Sequence, residues 1–121
     1  FPRIDDRYVG YKNRYMYATT GMGGEDANGS LRRVSRYDFS TRSFTHAPTV
    51  EGRWGGEPVF VPASENAAEG EGIIMAYIYD AHREATGVEI RDAQNLDAEA
   101  VATLWFDHRM PFDFHGNWVG D

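Results

Sequence analysis

The chain of 121 residues contains no cysteine, so it has neither a disulfide framework nor a thiolate metal site. A cysteine-free chain is compatible with a reducing compartment, and we expect a cytoplasmic protein. The sequence also lacks any apolar run near the roughly 20 residues that a membrane-spanning helix needs. Its longest apolar stretch covers residues 73–79. We therefore expect neither a transmembrane segment nor a signal peptide.

Basic residues are also few: the chain has 12 Lys and Arg but 19 Asp and Glu, so its net charge is −7. The basic residues are not clustered in one segment, which argues against nucleic acid or an anionic membrane surface as the main partner. The length suits one compact domain with a modest core. A hydrophobic content of 41% excludes wholesale disorder. Since the first residue is Phe1 and not Met, we expect a fragment of a longer protein.

Short runs of aromatic and β-branched residues dominate the chain, and no stretch carries a long helical period. Turn-forming segments separate the runs at intervals of about 8–12 residues, which predicts an all-β fold. One of these segments, residues 21–30, contains the hairpin signal Asn28-Gly29. The expected strands cover residues 13–20, 31–39, 43–46, 57–62, 73–79, 86–93 and 100–106.

The alternation within these strands predicts which side of each is buried. The continuous apolar run 73–79 predicts a strand covered on both faces. Strand 86–93 alternates apolar residues with Glu89 and Arg91, which predicts a half-exposed strand. Strand 31–39 similarly predicts one solvent-facing side, with Arg36 on the face opposite Tyr37. We expect loops at residues 51–56 and at the acidic residues 63–72, the latter as a solvated tip.

The four strands within residues 57–106 run from a buried inner strand to a more polar outer one, as in one blade of a β-propeller. Residues 13–46 are typical of part of another blade, and residues 107–121 follow as a separate segment. Two blades cannot close a ring, and an open propeller leaves strand edges unpaired. The pattern therefore leaves two alternatives, a small β-sandwich or a part of a longer propeller.

His115 is the candidate functional residue of the last segment, and it lies between Phe114 and Gly116. Pro111 fixes its own φ and favours an irregular approach to the histidine instead of a helix. Gly116 has no Cβ, so backbone or a ligand can come close to the imidazole. A neutral imidazole is the commonest metal ligand, although a single histidine is more often a packed, hydrogen-bonded structural residue. The residues alone leave both roles open.

Several segments, in this order and at this spacing, resemble the C-terminal part of the carotenoid cleavage oxygenases. That family includes lignostilbene dioxygenases and the retinoid isomerase of the retinal pigment epithelium. The segments are Phe-Pro-Arg-Ile-Asp at residues 1–5, Glu-Pro-Val-Phe-Val-Pro at 57–62, Ile-Ile-Met-Ala-Tyr-Ile-Tyr-Asp at 73–80, Val-Glu-Ile-Arg-Asp-Ala-Gln-Asn-Leu at 88–96 and Met-Pro-Phe-Asp-Phe-His-Gly-Asn-Trp at 110–118. The resemblance covers nearly the whole chain.

The resemblance implies the C-terminal blades of a seven-bladed β-propeller that holds a non-haem Fe(II) ion with four histidines. His115 falls at the last of these four positions. Glu57 falls at a glutamate whose carboxylate accepts the other ring N–H of an iron-bound histidine, although a solvent-facing strand start is the alternative. His46, His82 and His108 do not match ligand positions. The other three ligands would therefore lie in a missing N-terminal remainder of the same protein.

The implied reaction uses O₂ to cleave a C=C bond of a carotenoid, apocarotenoid or stilbenoid into two carbonyl products. It needs Fe(II) and an apolar conjugated substrate but no side-chain acid or base. Phe112 and Phe114 flank the histidine and are candidates either for lining the substrate cavity or for packing between blades. The Phe-His-Gly-Asn-Trp ending resembles microbial stilbenoid-cleaving members. We expect the 121 residues alone to be inactive.

A non-catalytic role is the alternative function. A free-standing β-domain could bind a protein or a glycan through exposed aromatic side chains, which are often used at such surfaces. The aromatic candidates for that surface are Trp54, Tyr77, Tyr79, Trp105 and Trp118.

Overall fold

The computed structural model describes residues 1–21, 33–111 and 114–120, and these residues form an all-β structure, as predicted. The hairpin signal at Asn28-Gly29 lies outside the described residues. A 3₁₀ turn at Asp6–Tyr8 precedes the strands β1 (Tyr15–Thr20), β2 (Arg33–Asp38), β3 (Ser43–His46), β4 (Arg53–Gly55), β5 (Val59–Pro62), β6 (Gly72–Asp80), β7 (Ala85–Asp92) and β8 (Ala102–Trp105). Within the described residues, no helix has the length and apolar character to cross a bilayer.

The strands form two antiparallel sheets. The first sheet has the order β1-β2-β3, and the second has the order β4-β6-β7-β8 with β5 also paired to β6. The seven predicted strands are all present, with ends shifted by one or a few residues. The prediction of a loop at residues 51–56 was wrong, because Arg53–Gly55 pairs with the end of β6. Three residues are too few to show an alternation that sequence inspection could recognise.

The hydrophobic core lies between the two sheets. Tyr17 of β1 is 1% exposed and stacks on Phe60 of β5, with the ring centroids 5.5 Å apart and the planes 7° from parallel. Burying an apolar side chain of this kind contributes about 1.5–3 kcal/mol, so this contact between the sheets is a substantial part of the core energy. The buried cluster comprises Tyr17, Val34, Ala47, Phe60, Ile74, Ala76, Ala93 and Leu96.

The inner face of the second sheet carries buried charges, which reverses the prediction for β7. Glu89 and Arg91 are only 9% and 5% exposed, whereas Val88 and Ile90 are half-buried. Arg91 Nε donates to Glu89 Oε1 at 2.6 Å, and its Nη1 donates to the carbonyl of Ala98 at 2.8 Å. Burial of these charges is tolerated because each finds a partner.

The first sheet also has a charged residue on its inner face. Arg36 of β2 lies on the inner face, where its Nη1 donates to the carbonyl of Ala93 at 2.6 Å. The aromatic face is the more open one, since Phe39 and Phe44 are each 49% exposed. The solvent-facing side predicted for this strand is therefore the aromatic side. In β6 the inner residues are buried and the outer ones half-buried, so this strand is fully covered on one face and not on both.

The acidic loop 63–72 is exposed at residues 63–66, as predicted for a solvated tip, but its Glu69 contacts the first sheet. Glu69 Oε1 accepts hydrogen bonds from the backbone N–H groups of Arg14 at 2.6 Å and Tyr15 at 2.9 Å. Arg7 Nη1 donates to the carbonyls of residues 64, 65 and 67. These contacts tie the loop to the N-terminal segment.

Candidate metal centre

A β-bulge between β4 and β5 determines the direction of Glu57. Three residues, 56–58, oppose only two on β6, because the pairing passes from Gly55 with Ile78 to Val59 with Met75. Residues two apart on a regular strand share one face. Here Gly55 faces β1, since an added Cβ would lie 3.5 Å from Thr19 Cγ2, while Glu57 lines a cavity on the opposite side. The bulge thus turns Glu57 to the outer face of the second sheet, and bulges next to functional sites often redirect a side chain in this way.

The Glu57 carboxylate is buried and receives hydrogen bonds from three groups. Its side chain is 2% exposed. Oε1 lies 3.2 Å from His115 Nδ1, and Oε2 accepts from the backbone N–H of Gly116 at 3.3 Å and from Arg3 Nη1 at 2.9 Å. Burial raises the pKa of Glu57, but the hydrogen bonds from His115, Gly116 and Arg3 outweigh it and hold the pKa below its ordinary value. The group is therefore an ionised acceptor at neutral pH.

His115 contacts Glu57 through only one of its two ring nitrogens, Nδ1. A carboxylate only accepts hydrogen bonds, so the contact with Glu57 places the proton on Nδ1 and leaves the lone pair of the neutral ring on Nε2. The side chain is 68% exposed, and the Phe1 ring packs against it edge-on with the centroids 4.9 Å apart. An oriented imidazole with an accessible Nε2 is the arrangement that metal-binding histidines adopt.

Gly116 contributes to this site through its backbone. Its N–H binds Glu57, and its carbonyl accepts from Arg3 Nη1 at 2.7 Å. An added Cβ would lie 3.9 Å from Val59 Cγ2, which is ordinary van der Waals contact. The space around Gly116 would therefore also accommodate alanine, and the close approach of backbone or a ligand to the imidazole stays a prediction. Residues 114–120 form neither helix nor strand, while residues 112–113 of the approach to His115 lie outside the described residues.

A cavity of about 120 Å³ lies beside the Glu57 carboxylate. Its wall combines apolar side chains of β5 and β6 with the C-terminal segment, including Val59, Tyr77 and Trp118. Phe114 is 69% exposed, and its ring contacts Phe1 with the centroids 6.1 Å apart. Phe112 lies outside the described residues, so the cavity-lining roles of both phenylalanines stay predictions.

The other histidines lie away from Glu57 and His115. His46 is half-buried, because β-pairing sets it opposite Ser35, whose Oγ lies 2.7 Å from its Nδ1. His82 is exposed, as expected, and His108 lies beside Asp107. Among the residues that the structure describes, no three His, Asp or Glu side chains come together as a metal site. His115 is thus a single candidate ligand.

The aromatic residues proposed as a binding surface do not share one face of the sheet. Trp54 pairs with Tyr79 on the outer face, with ring centroids 6.0 Å apart. Trp105 lies opposite Gly87 on the inner face, where the guanidinium groups of Arg53 and Arg83 pack on its ring at 5.5 and 4.8 Å. Tyr77 lies on the same face of β6 as Tyr79 and lines a cavity with Trp118, so of the five residues only Trp105 faces inward.

Sequence inspection missed the part played by Arg3. Its guanidinium contacts Glu57, the carbonyl of Gly116 and, at 2.6 Å, Asn117 Oδ1. One signal could have identified it, namely its position in the Phe-Pro-Arg-Ile segment that the family resemblance includes. The spacing gives no direct indication, because the partners lie 54 to 114 residues away along the chain.

Known proteins are similar to this chain over almost its whole length. The family model of retinal pigment epithelial membrane protein matches residues 1–120. The carotenoid cleavage oxygenase of Mycobacterium tuberculosis is 37% identical over 123 residues, and the apocarotenoid-15,15'-oxygenase of Synechocystis is 32% identical over 122 residues. Each match covers 98% of this chain and 24% of the relative. The chain therefore spans about a quarter of the length of these curated relatives.

Solved structures show the same likeness in three dimensions. A cobalt-substituted apocarotenoid oxygenase of Synechocystis matches with a TM-score of 0.92 at 30% identity, covering 100% of this chain and 25% of that one. A chimera of this oxygenase with the retinal pigment epithelial protein also matches with a TM-score of 0.92, at 27% identity and with the same coverage. The all-β architecture is thus that of a part of these β-propeller enzymes.

Proposed function

The chain belongs to the family of the retinal pigment epithelial membrane protein and the carotenoid cleavage oxygenases, and from this premise we propose that it is the C-terminal part of a non-haem Fe(II) dioxygenase. The whole protein cleaves a C=C bond of an apolar conjugated substrate with O₂, so that each alkene carbon becomes a carbonyl carbon. Relatives named for cleaving carotenoids or apocarotenoids support that substrate class. A stilbenoid remains the alternative that the sequence of the last segment suggested.

The pair formed by His115 and Glu57 is the observation that carries this proposal. The buried carboxylate fixes the ring orientation and makes Nε2 a better electron donor, and imidazole nitrogen suits ferrous iron. The donor set therefore fits the metal, with His115 as the ligand and Glu57 as the group that orients it. The iron, when bound, supplies the activation of O₂. Three further ligands come from a part of the protein that precedes this chain.

Other residues around the site shape its apolar surroundings. Val59, Tyr77 and Trp118 form an apolar wall beside the carboxylate. The carboxylate itself is 2% exposed, and burial of one partner strengthens its attraction to the imidazole N–H because the local dielectric is lowered. In this proposal residues 13–46 form a partial blade, residues 57–106 form a four-stranded blade, and residues 107–121 carry the ligand. The protein acts in the cytoplasm, which cell fractionation tests.

The experiment uses the full-length parent protein, purified with Fe(II). We expect it to consume O₂ and to convert a carotenoid, an apocarotenoid or a stilbenoid into two carbonyl products in equal amounts. The His115→Ala variant should lose iron and activity, because it removes a ligand. His82→Ala is the matched control, since that side chain is exposed and away from Glu57. Unchanged iron content and activity in His115→Ala would remove the assignment.

A further inference from the structure

Arg3 is anchored at its backbone before its side chain reaches the site. Its N–H donates to the carbonyl of Tyr17, and its carbonyl accepts from the Tyr17 N–H, both at 2.7 Å. These two bonds form an isolated antiparallel bridge to β1. Tyr17 is itself fixed in the core by its stack on Phe60. The backbone of Arg3 is therefore tied directly to a core residue.

The guanidinium joins the bulge to the C-terminal segment. Nη1 donates to Glu57 Oε2 at 2.9 Å and to the carbonyl of Gly116 at 2.7 Å, while Nη2 donates to Asn117 Oδ1 at 2.6 Å. Its side chain is 18% exposed, so solvent screens these bonds only in part. A planar guanidinium presents several donors in a fixed fork, which a lysine ammonium cannot reproduce. One side chain thus sets the distance between Glu57 and residues 116–117.

We propose that Arg3 is a positioning residue of the metal centre, acting on His115 through Glu57 and through the segment that follows the histidine. The inference rests on the proposed function, since it takes His115 as a ligand. His115 is an exposed side chain on a segment without regular structure, so its own packing does not fix its ring. Arg3 holds the carboxylate that orients Nδ1 and also holds the backbone immediately after the ring.

The nearest competing partner of Arg3 is weak. Asp6 Oδ2 lies 3.7 Å from Arg3 Nη2, and the Asp6 side chain is 70% exposed. An exposed pair at this distance contributes little. The short contacts all go to the bulge and to residues 116–117. Loss of the guanidinium would leave the buried carboxylate with His115 and the Gly116 N–H as its remaining donors.

The test measures Co(II) binding by the full-length parent protein, because a cobalt-substituted relative has been crystallised. The variants are Arg3→Met and Arg3→Lys, and the control is Arg14→Met, which breaks the ion pair with Asp38 instead. Each is titrated with Co(II) after iron removal, with the visible cobalt spectrum and the thermal unfolding of the apo form recorded. We expect Arg3→Met to lower Co(II) affinity about 10- to 100-fold, as groups behind metal-ligating histidines do.

The expected order of Co(II) affinity is parent, then Arg3→Lys, then Arg3→Met, with Arg14→Met equal to the parent. Lysine keeps the charge but not the fork, so its rescue is partial. Co(II) affinity and spectrum unchanged in Arg3→Met would overturn the inference even if that variant unfolds at a lower temperature. If Arg3→Met does not fold, parent-like affinity in Arg3→Lys overturns it. If the parent itself binds no Co(II), the proposed function is contradicted. If the parent binds Co(II) and Arg3→Met binds it equally well, only the role of Arg3 is contradicted.

Discussion

Asp80 shows how a single charged residue is stabilised on the inner face of a sheet. Its Oδ2 accepts from Arg53 Nε at 2.8 Å, and its Oδ1 accepts from the backbone N–H groups of His82 at 2.9 Å and Arg83 at 3.1 Å. Burial raises the pKa of Asp80, but these hydrogen bonds outweigh it and hold the pKa below its ordinary value. The carboxylate therefore links β4, β6 and the turn that follows β6.

Replacing Asp80 by asparagine in the full-length protein should lower the free energy of unfolding by about 2 kcal/mol at neutral pH, which is typical of hydrogen bonds to a charged group. Since the folded pKa is below the unfolded value of 3.8, the contribution is fully present above that pH and is lost as the pH falls through the folded pKa. Denaturant unfolding between pH 7 and pH 3 measures it, with the exposed Asp97→Asn as control. The prediction is contradicted if the difference in unfolding free energy between Asp80→Asn and the parent does not become smaller at acidic pH.

The bulge is the element on which the orientation of Glu57 depends. Deleting Pro58 would leave Gly55, Gly56 and Glu57 in regular alternation, so Glu57 would share the inner face with Gly55. Deleting Gly56 would also restore a regular strand but would keep Glu57 on the side of the cavity. Both deletions remove the bulge, but they place the Glu57 carboxylate on opposite faces of the sheet.

We therefore expect the full-length Pro58 deletion to lose most of its iron and the Gly56 deletion to keep more of it. Metal analysis of the purified proteins, with circular dichroism to verify that the sheets are intact, measures this difference. Because Pro58 is buried, its deletion also removes packing, and the comparison is made between variants that remain folded. Equal iron content in both folded deletions would show that the direction of Glu57 does not depend on the bulge.

The strands themselves were predictable because each carries its own alternation of side chains. Their inward faces were not, since burial depends on the partner across the core. Glu89 and Arg91 are polar by type, yet they are buried because they pair with each other and because Arg53 of another strand lies nearby, its Nη1 3.9 Å from Glu89 Oε2. Periodicity reports that two faces differ, and the tertiary contacts decide which face turns inward.

The site was partly predictable for a similar reason. His115 and Glu57 were proposed from residue type and from the family resemblance, and the structure brings them together across 58 residues of sequence. Arg3 lies 113 residues from Gly116, and no local pattern encodes a contact of that length. The bulge was also hidden, because one extra residue beside a proline looks like an ordinary strand start.

At the scale of the whole molecule, both sheets carry some charged side chains on the inner face beside the apolar core, and both leave large apolar side chains on the outer face. Leu104 of β8 is 57% exposed and shares the outer face with Val88, and Phe44 of β3 is 49% exposed on the other sheet. Extended apolar surface of this kind marks interfaces in stable proteins. The chain covers about 24% of the length of its relatives. We therefore expect both outer faces to be covered in the full-length protein.

Leu104→Lys tests this expectation, because the substitution should improve the behaviour of the isolated 121 residues but destabilise the full-length protein. In the 121 residues expressed alone, an exposed Leu104 promotes association, so lysine should raise solubility and lower the fluorescence of the hydrophobic dye ANS. In the full-length protein the same lysine would be buried against a neighbouring blade, and the melting temperature should fall by several degrees because an unpaired charge is costly to bury. A monomeric isolated chain that does not bind the dye, together with a full-length Leu104→Lys variant of parental stability, would mean that this face is not covered.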